Sequence, residues 1–249
     1  MKFWPKDALR WYENACRMFE YPKRQYGTMM SEIIGKEDRV LDLGCGNGAA
    51  SLLIAPWCKE VIALDQDEEA LEQLERRMNQ EEVKNVTIKH GIWTPETAVH
   101  ADVVIALHVH KALRSFENLS LLYQSVNKGG FIACPAAADS GSESFAELKK
   151  ELRIKPNYAQ CENGCYTKGI LEGLGARVKC ERFTYDFGQP LDSLEEAVRF
   201  ISWQLRTDEG SNEIIKKYLE LYVKPWGDKY VIPMKRQCCG ISFIKLNVM

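Results

Sequence analysis

From residue 38 the chain alternates short, apolar, β-rich runs with stretches whose apolar residues recur at helical spacing. The runs "DRVLDLG" (38–44), "EVIALD" (60–65), "NVTIKHG" (85–91), "ADVVIALHV" (101–109) and "FIACP" (131–135) read as five strands. The fourth is almost continuously apolar, as expected of a parallel strand covered on both faces. "AASLLIAPW" predicts a helix that Pro56 should stop, because proline lacks the N–H needed to continue it. Leu71, Leu74 and Met78 place one apolar face on a second helix. Phe116, Leu119, Leu122, Tyr123 and Val126 do the same for a third, with "NKGG" as its stop. Strands separated by helices in this order predict a parallel sheet with right-handed crossovers, a doubly wound α/β core over about 36–135.

The flanking segments decorate that core. Residues 1–35 are rich in aromatics and predict one or two helices forming a lid. A helix near 165–174 precedes a sixth strand at 176–187. Ser193 and Glu196 make a capping-box pattern ahead of "LEEAVRFISWQL", a further helix covers about 212–223, and "QCCGISFIKL" (237–246) reads as a last strand. With neither a repeat nor a linker, residues 1–249 are expected to form a single domain, with 136–164 and 188–235 as substrate-side insertions.

The chemistry concentrates in "VLDLGCGNGAAS" (40–51). Gly44, Gly46 and Gly48 sit where a strand turns into a helix, a place that needs positive φ or close backbone approach to a ligand. The free N–H groups of the following helix favour an anionic group. "GCGNGA" satisfies the dinucleotide fingerprint, and Asp65 ends the second strand where an acid can bind ribose hydroxyls. Asp42 separates the ligands. A carboxylate before the glycines would repel a pyrophosphate but attract a cofactor carrying sulfonium and α-ammonium charges.

These two stretches, "VLDLGCGNGAAS" with "VIALDQD", resemble the first two motifs of the class I (Rossmann-like) S-adenosylmethionine-dependent methyltransferases. The resemblance implies an α/β fold: a doubly wound, mostly parallel seven-stranded-type sheet, helices on both faces and a helical lid. It implies that Gly44, Gly46 and Gly48 pack against the methionine portion and ribose. Asp42 falls to the amino-acid end of the cofactor, Asp65 to the ribose hydroxyls, and Gln66 to a place beside the adenine. Gly91, Ile92 and Trp93 follow the third strand at the adenine pocket. Ile92 stands where the family usually has an acid, so stacking by Trp93 would have to substitute. Leu107 closes the cofactor side at the fourth strand.

His108 and His110 end that strand, next to where the transferred methyl should point. Imidazole titrates near neutrality, so His108 is the candidate general base, the other reading being a pocket wall satisfied by backbone. If the strand continues through them, both lie on one face. His110, Tyr26 and Trp11 are candidates for the substrate pocket. The aromatic content of the lid and insertions suggests an enclosed site for a small, partly apolar acceptor.

Charge and cysteine content narrow the partners. The net charge of −2 offers no basic footprint for nucleic acid. No run of about 20 apolar residues could span a bilayer, and the start lacks the apolar core of a signal peptide. Nine cysteines, an odd number, fit reduced thiols and a cytoplasmic location. "CENGC" and "QCCG" could supply thiolates to a soft metal, but adjacent strand cysteines point apart, so no metal is expected. Cys45 and Cys134, near the site, would make activity thiol-sensitive. A nicotinamide-dependent oxidoreductase or a non-catalytic cofactor-binding protein are the alternative functions on this fold.

Overall fold

A computed structural model describes residues 6–109, 112–136, 145–154, 163–227 and 229–246. Its main sheet has seven strands in the order β3-β2-β1-β4-β5-β10-β6. They are β1 (Arg39–Leu43), β2 (Glu60–Asp65), β3 (Val86–His90), β4 (Ala101–Leu107), β5 (Val126–Pro135), β6 (Ala176–Asp186) and β10 (Lys235–Lys245). All pairs are parallel except those of β10, which runs antiparallel to both β5 and β6.

Alternation along each strand divides the interior into two layers. Val40, Val61, Ala63, Val103, Ile105 and Cys238 face one side. There they meet α1 (Lys6–Met18), α2 (Lys23–Ser31), α3 (Ala49–Ile54) and α4 (Glu68–Gln80). Leu41, Leu43, Ile62, Leu64, Val104, Cys239 and Ile241 face the other, against α5 (Phe116–Gln124) and α7 (Asn163–Gly173). Cys238 and Cys239 therefore lie in different layers. Among the described residues no helix is long and apolar enough to cross a membrane.

Local signals set most of the ends. The α-helix α3 stops at Ile54 and a 3₁₀ turn at Ala55–Trp57 carries Pro56. Asp67 caps α4 by accepting from the Ala70 N–H at 3.1 Å, and Ser115 caps α5 through Asn118 N–H at 3.1 Å. One expectation fails here. Val126 belongs to β5, not to the preceding helix, and "NKGG" lies within that strand. The register slips between Ala101/Val126 and Val103/Gly129, so the irregular start of β5 looks like a helix stop in sequence.

The 188–235 segment builds its own layer. The strands β7 (Gln189–Leu191), β9 (Lys229–Ile232) and β8 (Lys224–Trp226) form a small antiparallel sheet, flanked by α8 (Leu194–Leu205) and α9 (Asn212–Tyr222). With α1 and α6 (Ala146–Glu151), they enclose a third cluster around Trp11, Phe145, Phe200 and Tyr218. Ser193 caps α8, accepting from Glu196 N–H at 3.1 Å. The reciprocal arm differs from the expected box: Glu196 accepts from Asp192 N–H at 2.6 Å, and also from Trp11 Nε1–H at 2.9 Å and from Arg10. That carboxylate ties the amino-terminal helix to the outer layer.

Candidate active site

The strand order reverses between β1 and β4, where a crevice opens at the carboxyl ends of an α/β sheet. The glycine loop enters from β1 and His108 from β4. Gly44 and Cys45 both donate to the Leu64 carbonyl, at 2.7 and 3.1 Å, which staples the loop to the end of β2. The three glycines serve different ends. A Cβ on Gly44 (φ +69°) would lie 1.9 Å from Val109 Cγ1, and one on Gly48 (φ +78°) 2.2 Å from Leu74 Cδ1. Gly46 (φ +53°) has nothing within 4 Å of the corresponding position. Two glycines thus allow close packing, and the third opens the loop toward a space a ligand can use.

Two acids flank that space. Asp65 is half-buried and accepts from Gly46 N–H at 2.8 Å and from Asp67 N–H at 2.9 Å; each oxygen keeps a second lone pair for an incoming hydroxyl. Asp42 is 1% exposed and accepts from Ser51 Oγ–H at 2.5 Å. Burial pushes its carboxyl up to about 7; the Ser51 hydrogen bond opposes the rise and the Asp65 charge adds to it. Asn47, between Gly46 and Gly48, is 1% exposed with neither amide atom hydrogen-bonded. A buried carboxylate without a cation, an amide without a partner and an open glycine fit a polar, positively charged ligand.

The expected adenine side divides. Gly91 is fixed by its N–H to the Asp65 carbonyl at 2.8 Å, and Gln66 and Ile92 are exposed beside it. Trp93 is a correction: it is 4% exposed, belongs to the core layer under α5, and its Nε1–H donates to the Asn118 carbonyl at 3.3 Å. Its ring is sequestered and not offered for stacking. Cys45 is likewise buried, and burial reinforced by Asp42 and Asp65 raises its thiol well above the ordinary value. The thiolate needed for reactivity is suppressed there, contrary to the expected thiol sensitivity.

Leu107 is the last residue of β4, half-buried. The strand does not continue through His108, which turns into the left-handed region at φ +60°. His110 lies outside the described residues. His108 N–H donates to the Ala133 carbonyl at 2.8 Å, which fixes the turn. Its Nε2 lies 3.0 Å from Tyr26 Oη and 3.3 Å from Tyr185 Oη. Tyr26 Oη also meets Tyr185 Oη at 3.1 Å and Cys238 Sγ at 3.2 Å. Burial raises the phenol of Tyr26 far above its usual value and pushes Tyr185 up to about 12, so both stay neutral. A phenol donating to Nε2 places the imidazole's own proton on Nδ1.

Tyr26 is brought to His108 but is fully buried, so it backs the imidazole from the core and does not line a pocket; Trp11 is not brought there at all. Trp11 is 3% exposed and sits edge-on to Phe200 at 5.4 Å, with its N–H bound by Glu196. It is core of the outer layer, held there by packing that no local pattern announces. Tyr185, Cys238 and Arg236 were missed by sequence reasoning. They come from β6 and the reversed β10, whose first residues reach the edge where the parallel strands end.

Residues 34–179, more than half of the chain, match the family described as methyltransferase domain. A 55-residue stretch is 36% identical to the probable cobalt-precorrin-6B C(15)-methyltransferase (decarboxylating) of Methanococcus vannielii. That stretch covers 22% of this chain and 31% of the relative, so the match spans about a third of that protein's length. The crystal structure of the YcgJ protein from Bacillus subtilis superposes with a TM-score of 0.59 at 16% identity, over 89% of this chain and 98% of the other. The precorrin 8w decarboxylase of Methanobacterium thermoautotrophicum gives 0.51 at 19%, over 91% and 90%. At such identities the two structures establish the fold. The family match runs over β1 to β5, the glycine loop and the turn at His108, and the chain belongs to the methyltransferase domain family.

Proposed function

We propose that the protein transfers a methyl group from S-adenosylmethionine to a small-molecule acceptor, with His108 as the proton acceptor. The observation that carries this is the His108–Tyr26–Tyr185 cluster, placed directly beside the glycine loop, where Gly44 leaves room only for Val109 of the same turn. Gly44, Gly46 and Gly48 would accommodate the cofactor's backbone-facing side. Asp65 would take its ribose hydroxyls, Asp42 would neutralise its amino-acid end, and Gln66, Gly91 and Ile92 would border its adenine. Leu107 completes the wall. When bound, the cofactor supplies a methyl already activated by a sulfonium cation.

The chain's own residues then do two things. They hold the acceptor in line, a contribution of several kcal/mol, on the order of 7–11 in the best intramolecular systems. They also receive a proton where the acceptor keeps one at neutral pH. Tyr185 is half-exposed and bonded to Nε2, so it can pass its proton to His108 while taking one from the acceptor. The named activity of the Methanococcus vannielii relative, methyl transfer at C15 of a cobalt-precorrin, supports an acceptor other than a polymer. The eight described cysteines are free thiols, which supports a reducing, cytoplasmic setting. Neither nucleic acid nor membrane has a role in this reading.

Calorimetric titration with S-adenosylmethionine, S-adenosylhomocysteine and NADH tests the cofactor: binding of the sulfur pair alone is expected, and binding of NADH alone would overturn it. Replacing His108 with Gln should leave cofactor affinity intact and lower turnover by about 10²-fold or more. Unchanged turnover would reduce His108 to a pocket wall.

A further inference from the structure

Among the described residues, one guanidinium at the active edge has no counter-charge. Arg236 stands at the start of β10, directly opposite Tyr185 in the antiparallel register, and Cys238 follows on the same face. Because β10 is reversed, this start lies at the edge where β4 delivers His108. Arg236 Cζ sits 4.4 Å from the centroid of the Phe187 ring. Phe187 in turn packs against Tyr21 at 5.0 Å and Tyr12 at 6.1 Å. The positive charge is close enough to favour the ionised forms of Tyr12, Tyr21, Tyr185 and Cys238, against the opposing effect of their burial.

Among the described residues, no carboxylate lies within ion-pair distance of Arg236 and no group accepts a hydrogen bond from it. Arg10, by comparison, pairs with Glu196, and Arg77 donates to the Asn47 carbonyl and pairs with Glu81 at 3.6 Å. A guanidinium held over an aromatic ring by its charge spends none of its N–H donors on that contact and keeps them for a carboxylate, which it can bind with two parallel hydrogen bonds. The ring also holds the fork in one orientation, which lowers the entropy lost on binding. A half-buried guanidinium amid aromatic rings, one residue pair away from the candidate base, matches an anion attached to an apolar ring.

We propose that Arg236 is the anion anchor of the acceptor pocket, and that the methyl acceptor is a small ring-bearing carboxylate held between Arg236 and His108. This rests on the methyl-transfer reading for the identity of the pocket, and it adds the substrate class and a specificity-determining residue. Directly opposed residues of antiparallel strands stand about 5 Å apart at Cβ. Tyr185 bridges that pair to His108 Nε2 at 3.3 Å, so a molecule of roughly one ring and a short substituent spans the site.

The test is calorimetric titration with benzoate, phenylacetate and 4-hydroxybenzoate, each against its neutral amide, with and without S-adenosylhomocysteine. Wild-type protein should bind at least one carboxylate about tenfold or more tightly than its amide. Arg236→Gln should abolish that preference while leaving amide binding unchanged, and Arg236→Lys should restore part of it. Equal binding of every carboxylate and its amide, including no binding of either, overturns the proposal, as does a preference that survives Arg236→Gln. The wild-type comparison needs no variant to fold. S-adenosylhomocysteine titrated alone reports on the glycine loop. If it fails to bind while the carboxylate preference holds, the methyl-transfer reading falls and the anion anchor stands.

Discussion

Asp42 offers a measurable consequence of burying an acid beside a cofactor loop. Its carboxyl has an ordinary value of 3.8 and rises to about 7 in the folded protein, mainly through burial. Because the folded value is raised, the protein binds a proton there that the unfolded chain has released. The stabilisation is fully present below 3.8 and is lost as pH climbs to about 7. At 1.36 kcal/mol for each pKa unit, the rise is worth about 4 kcal/mol across that window, with little further change above it. Asp42→Asn removes the titration while keeping shape and an oxygen for the Ser51 hydroxyl. Urea denaturation of both proteins at pH 5, 6, 7 and 8 reads the difference. Wild-type stability should fall relative to the variant by about 1.4 kcal/mol per pH unit from 5 toward 7, then level off. A difference independent of pH would refute the argument that burial governs this carboxyl. A cationic ligand favours the ionised form, so S-adenosylmethionine should bind wild type more tightly at pH 8 than at pH 6, and the variant should lose that dependence.

The loop glycines should separate in their effects. Gly48→Ala meets Leu74 at 2.2 Å in a left-handed conformation and should lose about 2 kcal/mol or more of stability, whereas Gly46→Ala, with open space around it, should lose about 1 kcal/mol. Cofactor titration should nonetheless show Gly46→Ala as severely impaired; normal affinity there would mean that the space is not the ligand's. In the outer layer, Glu196→Ala strands the buried indole N–H of Trp11 and removes the acceptor of Asp192 N–H and Arg10, a loss of about 2–3 kcal/mol readable as a lowered urea midpoint. Hydrogen bonds from Asp192, Trp11 and Arg10 hold the Glu196 carboxyl below its ordinary 4.5 although burial opposes them. The part of its contribution that needs the ionised carboxylate is therefore present above 4.5 and lost as pH falls through the folded value, so the midpoint shift should shrink in acid; a shift of constant size into stronger acid would contradict this.

Whatever depends on short-range chemistry was legible in the chain. Apolar runs located the strands, because a residue's hydrophobicity and its neighbours' decide which face it buries. Pro56 and Ser193 marked helix ends through donors and acceptors within four positions. The glycine loop and Asp65 marked the candidate cofactor side, because the loop and the acid it donates to lie within one strand–helix–strand unit. Trp93 and Trp11 show the limit. Each is an aromatic at a plausible place, and only packing against α5 or against Phe200 and Glu196 reveals it as interior. Tertiary structure alone decided what surrounds His108. Tyr26 comes from a helix 82 positions before His108, and Tyr185 from a strand 77 positions after it. Arg236 comes to stand opposite Tyr185 through the reversal of β10. Contacts between such distant positions follow from strand order and direction, which emerge when the whole sheet buries its two faces at once and leave no mark at any single position.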